Sequence, residues 1–405
     1  MTPSAPTRPN KLRRCAVLFI EPREHLQLNP AGLFGGGEPL TSRMEWMALA
    51  PHLDAEIALA SRELDVLGRI GETLWVAFTE LARQVPAEVL DGLLEKGLLI
   101  GDIAAHANHR QRDEKVRAVH WKALSAVGHY FSRWSEDAGR GAASADYTLA
   151  DIVEKYGLPP PDSTERMAQD QRIVLRARSE SGLDELLRKR TTCRNFARDG
   201  ILEYGVFCDM LQRVFGAHAS VELHPGVQAL KKSNPSGGGL HPLEAYLLVQ
   251  NVAGLENGLY HYHSPSHSLE RLPRSGDGGM AGMACRFVAG QTYFSDAQVL
   301  VALVARFERT FWKYRNHAKA YRAIVLEAGH VSQNLYLAAT ELGLGAYITA
   351  AINEIDIESA FGLDPLQESP LAVCGFGVRA QQKTTTEFDP LGGTWPLDIA
   401  SFSEE

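Results

Sequence analysis

The sequence predicts an α+β protein of two domains. Its 405 residues exceed the length of one typical domain. Two unbroken apolar runs, residues 246–249 and 299–304, have the character of buried strands. From about residue 318 to 342, apolar residues repeat at alternating spacings of four and three. That spacing predicts one long amphipathic helix, which Gly343 ends.

Short helices followed by a strand are predicted near the amino terminus. Ser61 and Thr79 are candidate helix N-caps, and Pro86 suits the first turn of a third helix. The apolar residues 98–100 then predict the start of a β-wing. Three short helices and a strand pair are typical of a winged helix, so residues 1–135 are predicted to form a winged-helix-like domain.

The order of the remaining segments follows from composition. Residues 15–20 predict a strand, and apolar positions over 116–134 predict one further amphipathic helix. Residues 136–175 are predicted to be a linker, because they are rich in small residues and contain a triple proline. Residues 176–405 form the predicted catalytic domain.

The charges of the first domain disfavour nucleic acid. Winged helices often bind DNA, but the third predicted helix carries Glu88, Asp91 and Glu95 on its polar positions, and the chain has a net charge of −8. A protein or peptide partner is the prediction. A dimerisation or packing module is the structural alternative.

The cysteines indicate a reducing compartment. There are five, dispersed and without a CxxC pair, which is typical of reduced thiols rather than a disulfide framework. The apolar run 15–20 is too short for a membrane span or a signal-peptide core. A soluble cytoplasmic protein without a membrane partner is expected.

The most specific motif lies within KKSNPSGGGLHPLEAY, residues 231–246. A proline fixes the approach, a serine offers a short hydroxyl, and three glycines expose backbone N–H groups. Such a loop can approach a flat or anionic ligand closely. For the three glycines alone, a surface turn is the alternative. The predicted binding residues of this glycine loop are Pro235, Ser236, Gly237, Gly238, Gly239, Leu240 and His241.

This string resembles the FMN-binding loop of nitroreductase-fold flavoenzymes. It is most similar to the SagB-type branch, the thiazoline and oxazoline dehydrogenases, and within it to peptide maturation dehydrogenases; the resemblance covers residues 176–405. It implies a nitroreductase-like fold with a central mixed sheet, a long core helix and a homodimer that binds FMN between subunits. It also implies a ribosomally made precursor peptide as substrate, whose leader the first domain would hold, and a cyclodehydratase or other maturation enzyme as partner.

A second motif is RTTCRN at residues 190–195. If the chain is extended there, Arg190, Thr192 and Arg194 fall on one side. Two guanidinium groups beside a hydroxyl suit a phosphate, although such groups are often simply solvated. The string resembles the nitroreductase Arg-x-Ser-x-Arg element that contacts the flavin phosphate and ribityl chain. Thr192 replaces the usual serine and keeps the hydroxyl.

Two further cofactor contacts are implied by the resemblance. Gly343, Gly345 and Ala346 lie in a segment similar to the loop whose backbone contacts the flavin ring. Arg379 follows the last predicted strand, where some relatives place another phosphate contact. A solvated arginine at a strand end is the alternative for Arg379.

The candidate catalytic residues are Lys313 and Tyr314. They lie between a predicted strand and the long helix, the position of the proposed acid–base dyad in SagB-like dehydrogenases. Oxidation of an azoline to an azole removes a hydride, which FMN would accept, and a proton, which a base must accept. Lysine and tyrosine have reference pKa values of about 10, so a desolvated site would have to lower one of them.

Three histidines invite a metal hypothesis. His261 and His263 share one face of a predicted hairpin, and His267 follows them. No cysteine or acidic ligand joins them at a recognisable spacing, so no metal site is predicted.

The leading hypothesis is an FMN-dependent dehydrogenase of peptide maturation that oxidises azolines to azoles. A flavin-dependent reductase of dehydroamino acids, or of nitro or quinone compounds, is the alternative within the enzyme class. A winged-helix regulator with a flavin sensor domain is the non-enzymatic alternative.

Overall fold

The computed structural model describes residues 8–136, 149–176, 180–273 and 279–395. These residues form two compact units that interleave along the chain. The first unit consists of Met1–Arg133, Arg306–Arg322 and Asp364–Glu368, and the second of Trp134–Ala305, Ala323–Leu363 and Ser369–Glu405.

Short strands and helices alternate along the described chain. Up to residue 136 they are β1 (Lys11–Arg14), β2 (Phe19–Leu28), α1 (Pro30–Gly35), β3 (Leu40–Leu49), β4 (Ile57–Leu59), α2 (Ser61–Arg69), β5 (Val76–Ala77), α3 (Phe78–Leu81), α4 (Ala87–Glu95), β6 (Leu99–Gly101), α5 (Ala107–Ala118) and α6 (Ala123–Phe131). From residue 149 they are α7 (Leu149–Tyr156), α8 (Gly182–Lys189), α9 (Tyr204–Phe215), β7 (Ala217–His224), β8 (Val227–Lys232), β9 (Leu243–Val249), β10 (Gly258–His263), β11 (Ser268–Arg271), α10 (Met280–Phe287), α11 (Thr292–Ser295), β12 (Val299–Arg306), α12 (Phe307–Phe311), α13 (Ala320–Glu341), β13 (Gly345–Thr349), α14 (Glu354–Phe361) and β14 (Glu368–Gly377).

A small sheet and three helices form the core of the first unit. β1 lies between β5 and β6 and pairs antiparallel with both. Leu12, Leu90, Leu93 and Ile100 are fully buried within it. A buried ion pair closes one side, with Arg13 Nη1 and Asp113 Oδ2 2.6 Å apart. Because each buried charge has its counter-ion, the pair avoids an uncompensated charge in the core.

The predicted strand over residues 15–20 is wrong in position. β1 ends before it and β2 begins within it. The Cys15 N–H donates to the Leu98 carbonyl, and the Ala16 N–H donates to the Asp113 carboxylate. These backbone groups are satisfied outside a strand ladder, which is why the apolar run does not form a strand.

The three short helices are confirmed, but two of their caps differ. Ser61 is the first residue of α2, and the Glu63 carboxylate accepts the Ala60 N–H at 2.8 Å. Thr79 lies inside α3. Pro86, predicted in the first turn of the third helix, is the N-cap residue of α4. A carboxylate three residues into the helix thus replaces the serine hydroxyl at the first cap.

The predicted β-wing is also wrong in its pairing. β6 pairs with β1, and the described residues 102–136 continue into α5 and α6. Leu99 and Ile100 are fully buried, so their strand joins the core sheet instead of a projecting hairpin. Winged-helix membership therefore stays a prediction.

One predicted helix is two. His120 adopts a φ of 62°, which ends α5, and α6 begins three residues later. In the predicted linker, residues 149–156 form α7, whereas residues 137–148 lie outside the described part of the chain.

A larger sheet organises the second unit. Its described strands run in the order β11-β10-β9-β12-β14-β13. β9 and β12 are its buried centre, and both match the predicted apolar strands. The predicted hairpin at residues 258–272 is β10 and β11, and the long helix is α13. No helix in the described ranges is long and apolar enough to cross a membrane.

Candidate functional site

The glycine loop, residues 235–241, connects β8 to β9 through left-handed backbone. The φ angles are 72° at Gly238, 69° at Gly239 and 47° at His241. Side chains strain this region, so glycine is favoured at the first two positions. The Ser236 hydroxyl accepts the His241 N–H at 2.8 Å and closes the turn.

One face of α13 packs against this loop. A Cβ added to Gly237 would lie 3.4 Å from the Ala323 Cβ, so the backbone passes close to the helix. His330 Nδ1 lies 3.3 Å from the Pro235 carbonyl oxygen, which accepts its hydrogen bond. The loop is therefore held by a rigid element at both its start and its middle.

One buried side-chain nitrogen in the loop and one on α13 lack hydrogen-bond partners in the part of the chain that the structure describes. His241 Nδ1 and Asn334 Nδ2 are buried nitrogens with no hydrogen-bond partner among the described residues. Glu327 is buried, and its carboxylate lies 3.7 Å from His241 Nδ1, beyond a hydrogen bond. Buried polar atoms normally find partners, so such atoms beside a glycine loop indicate a place for a polar ligand.

Tyr336 joins the second motif to α13. Its hydroxyl lies 2.9 Å from Thr192 Oγ1 and accepts the Ile348 N–H at 3.2 Å. The Arg190 guanidinium lies 5.1 Å from the centroid of the Tyr336 ring, within cation–π range. Burial raises the pKa of Tyr336, so the hydroxyl stays protonated at neutral pH.

The other two predicted arginines have different partners. The Arg194 guanidinium donates to the Thr386 carbonyl at 3.0 Å. Arg379 donates to Glu387 at 2.9 Å and to Thr191 at 2.7 Å. Arg190 and Thr192 are thus the two members of the predicted phosphate grip that share a partner, and Arg379 does not join them there.

The segment predicted as a flavin-contacting loop is a strand. Gly343, at φ 71°, ends α13 as predicted. Gly345 and Ala346 then pair with Gly377 and Phe376 of β14. They belong to β13, which forms one edge of the sheet. A Cβ on Gly345 would lie 2.5 Å from Cys193 Sγ, so only glycine fits there.

Lys313 and Tyr314 lie in the turn that follows α12, in the first unit. Lys313 is exposed and Tyr314 is half-buried. Their backbone N–H groups both donate to the Thr310 carbonyl, at 3.2 and 3.1 Å. The Lys313 Nζ lies 5.6 Å from the Tyr314 ring centroid.

An aromatic cluster fixes the segment that carries this turn. The Trp121 ring lies 4.5 Å from that of Phe307 and 4.8 Å from that of Phe311. Beneath them His129 Nδ1 bonds the Tyr321 hydroxyl at 3.0 Å. Burial lowers the pKa of His129 to about 3, so this imidazole is neutral at physiological pH.

The three histidines of the hairpin have individual partners. His261 bonds Glu270 at 2.7 Å and lies 3.5 Å from Glu244, and the hydrogen bond to Glu244 raises its pKa. His263 and His267 bond a serine and a tyrosine hydroxyl. Within the described ranges, no three His, Cys, Asp or Glu side chains converge as a metal site.

Sequence reasoning missed the polar face of α13. Glu327, His330 and Asn334 follow one another at spacings of three and four, alongside the apolar positions used to predict the helix. Two adjacent stripes, one apolar and one polar, were the available signal. Tyr336 had no signal, because its role depends on packing against residues 144 positions away.

Comparison with known proteins identifies the family. The model of the nitroreductase family matches residues 187–378. A protein of Methanocaldococcus jannaschii named as a nitroreductase is 32% identical over 150 residues, which is 37% of this chain and 72% of that protein. Its similarity therefore spans most of a nitroreductase-family protein.

Two relatives are named for peptide processing. Trifolitoxin-processing protein TfxB of Rhizobium leguminosarum is 32% identical over 154 residues, 38% of this chain and 41% of that protein. Microcin B17-processing protein McbC of Escherichia coli is 27% identical over 203 residues, 46% of this chain and 70% of that protein. The chain thus spans less than half the length of TfxB.

Solved structures give a weaker likeness. The E. coli microcin synthetase McbBCD complex with truncated pro-MccB17 has a TM-score of 0.45 at 23% identity, covering 66% of this chain and 94% of that one. The sequence matches carry the assignment. The chain belongs to the nitroreductase family.

Proposed function

We propose that the protein is an FMN-dependent oxidoreductase that matures a ribosomally made peptide. The carrying observation is the match of a nitroreductase-family chain to two proteins named for peptide processing. The reaction favoured by the Lys313 and Tyr314 pair is oxidation of an azoline ring to an azole. This is the activity of the SagB-type branch that the motifs resemble.

The second unit has features that fit FMN. The left-handed glycine loop leaves backbone N–H groups without side chains in front of them, which suits a flat or anionic ligand. His241 and Asn334 offer buried nitrogens that lack hydrogen-bond partners among the described residues, and Arg190 beside Thr192 suits a phosphate. When bound, FMN would supply a two-electron acceptor.

The chain's own groups would handle the proton. Removal of a hydride from an azoline leaves one proton to be taken from the adjacent ring atom. Lys313 Nζ, when neutral, is the proposed acceptor, and it afterwards releases that proton to solvent. Tyr314 is the proposed second member of the acid–base pair. Acid–base assistance of this kind is worth about 10²–10⁴-fold in rate.

The same proposal includes partners. Val325 and Leu326 on α13 are 46% and 59% exposed, which supports a homodimer contact along this helix. The first unit would hold the leader of the precursor peptide, since its acidic α4 disfavours nucleic acid. A ring-forming enzyme must act before this protein, because the proposed substrate already contains an azoline ring.

The test begins with the purified protein. A flavin absorption spectrum and a released chromophore of FMN mass are expected. The protein is then incubated with an azoline-bearing peptide under air, and a product lacking two hydrogen atoms is expected by mass spectrometry. A colourless protein that also fails to take up added FMN would overturn the proposal.

Three outcomes would change the proposed function or one of its parts. If the flavin protein instead adds two hydrogen atoms to a dehydroamino acid peptide, the reductase alternative replaces the dehydrogenase. Sequence-specific DNA binding at low salt would favour the regulator. Deletion of residues 1–135 with full activity on the peptide retained would remove the leader-binding role.

A further inference from the structure

The β2–β3 hairpin has one apolar and one polar face. Its register pairs Leu28 with Leu40, Leu26 with Ser42, Glu24 with Met44 and Pro22 with Trp46. Because side chains alternate along a strand, these pairs share one face. We call this surface the arm face; its large apolar members are Pro22, Leu26, Leu28, Leu40, Met44 and Trp46.

Toward the tip the opposite face is polar. There Arg23 pairs with Glu21 and Glu56, and His25 lies 3.3 Å from Glu45. Gln27 and Thr41 complete it toward the tip. The sequence thus places most charges of the distal hairpin on one side and its large apolar groups on the other.

The arm face is exposed in the single chain. Leu26 is 65% exposed, Leu28 75%, Leu40 47%, Met44 59% and Trp46 37%. At the tip, Leu33 and Phe34 of α1 are 58% and 88% exposed. The arm face and these two side chains together expose on the order of 500–800 Å² of apolar surface, at or above the largest patch of a typical monomer.

The distal part of the hairpin has little support of its own. β4 pairs only with residues 46–48 of β3, so beyond them the ribbon has two strands. A two-stranded ribbon is marginal in water unless its apolar face is covered. Among the described residues, none buries the large apolar side chains of the arm face.

We propose that the arm face is a self-association surface, on which the arm of a second copy of this chain packs face to face. The face carries one charge, Glu24, and one hydroxyl, Ser42, and is otherwise apolar, so a two-fold axis would bring like surfaces together. The available area approaches the roughly 800 Å² per partner of a stable interface. Stacked sheets about 10 Å apart would bury both faces.

Addition of a strand at the outer edge fits less well. β2 is that edge, and it contains Pro22, which has no N–H to donate. Glu21, Arg23 and Glu24 flank it with charge, a pattern that discourages edge pairing. The arm thus exposes a face suited to packing and, along β2, an edge unsuited to extension.

Matched variants test the proposal by sedimentation or light scattering over a range of concentrations. Leu28→Lys with Leu40→Lys places two charges on the arm face at one register pair. Gln27→Lys with Thr41→Lys places the same charges on the polar face at the neighbouring pair. The first is expected to weaken self-association at least about 100-fold, and the second to leave it unchanged.

A labelling experiment covers the case of a misfolded variant. Met44→Cys should react with a maleimide more slowly as protein concentration rises, whereas Thr41→Cys should react at a constant rate. Wild-type and Leu28→Lys/Leu40→Lys mass curves that coincide, or a labelling rate of Met44→Cys that does not depend on concentration, would overturn the arm interface. Neither readout depends on flavin or activity, so association through α13 alone would be distinguished.

Discussion

The glycine loop and the Lys313 turn are built in opposite ways. The loop is fixed by left-handed backbone, by a serine hydroxyl and by a face of α13, and His241 Nδ1 within it is buried without a hydrogen-bond partner among the described residues. The turn is fixed from behind by an aromatic cluster, while Lys313 itself is exposed. A binding loop can thus be complete in the single chain, whereas an exposed amine acquires its chemical environment only when a substrate or partner covers it.

Loss of the Lys313 amine should have the largest effect on turnover. Lys313→Ala is expected to lower turnover of an azoline peptide by about 100-fold or more, because the proton acceptor is removed. Flavin content should not change. Lys319→Ala, an exposed lysine on the same segment, is the control and should retain activity. Equal turnover in the two variants would remove Lys313 from the acid–base role.

The free energy of unfolding should depend on pH through His129, which lies in the aromatic cluster behind the Lys313 turn. His129 has a pKa of about 3 when folded and near 6.5 when unfolded, so the unfolded chain binds more protons between those values. Stability is therefore lost as pH falls from 6.5 toward 3, by at most about 1.4 kcal/mol per pH unit from this group. Chemical denaturation at pH 7 and pH 5 measures it.

The control for that experiment separates His129 from other titrating groups. His129→Phe should flatten the pH dependence, whereas His224→Phe, at an exposed histidine, should leave it as in the wild type. A slope that survives in His129→Phe would assign the acid sensitivity elsewhere.

The loop should respond to backbone strain at one glycine. Gly239→Val and Gly226→Val both place a branched side chain at positive φ, 69° and 79°, with no atom within 4 Å of the added Cβ. Both should cost about 1–2 kcal/mol of stability. Only Gly239→Val should weaken FMN affinity, by about tenfold or more, as measured by flavin titration. Equal affinities would place the flavin away from the loop.

The smallest effect is expected at the Thr192 hydroxyl. Thr192→Val removes one hydrogen-bonding group, worth about 1 kcal/mol, or about fivefold in FMN affinity. A cycle with Tyr336→Phe would test whether the two hydroxyls act together. Strictly additive effects on affinity would show that the 2.9 Å contact does not matter for binding.

The same contrast separates what the sequence could and could not predict. In the second unit the predicted nitroreductase-like fold is confirmed. Its central strands and α13 could be predicted because apolar runs and helical periodicity are local signals in the sequence. The glycine loop was recognisable because glycine spacing is itself the structural requirement. Tyr347, for which no role was predicted, packs flat on Phe294 at 4.0 Å.

In the first unit the three short helices were predicted, but the β2–β3 hairpin and the pairing of the strands were not. The apolar residues 15–20 resembled a strand, but Asp113, about a hundred positions later, satisfies part of their backbone. β6 resembled a wing strand, but it pairs with β1. The aromatic support of the Lys313 turn depends on residues more than 180 positions apart, and no periodicity in one segment reports on such pairs.

The segment order of the first unit has a consequence for synthesis. The Trp121 indole donates to the Leu366 carbonyl at 2.9 Å, 245 residues later. At about 5–20 residues per second, a ribosome needs roughly 10–50 seconds to make the intervening chain. The portion that emerges first must therefore wait, incompletely packed, until residues 364–368 have been translated. A nascent chain stalled within the nitroreductase sheet would retain an unfinished first unit.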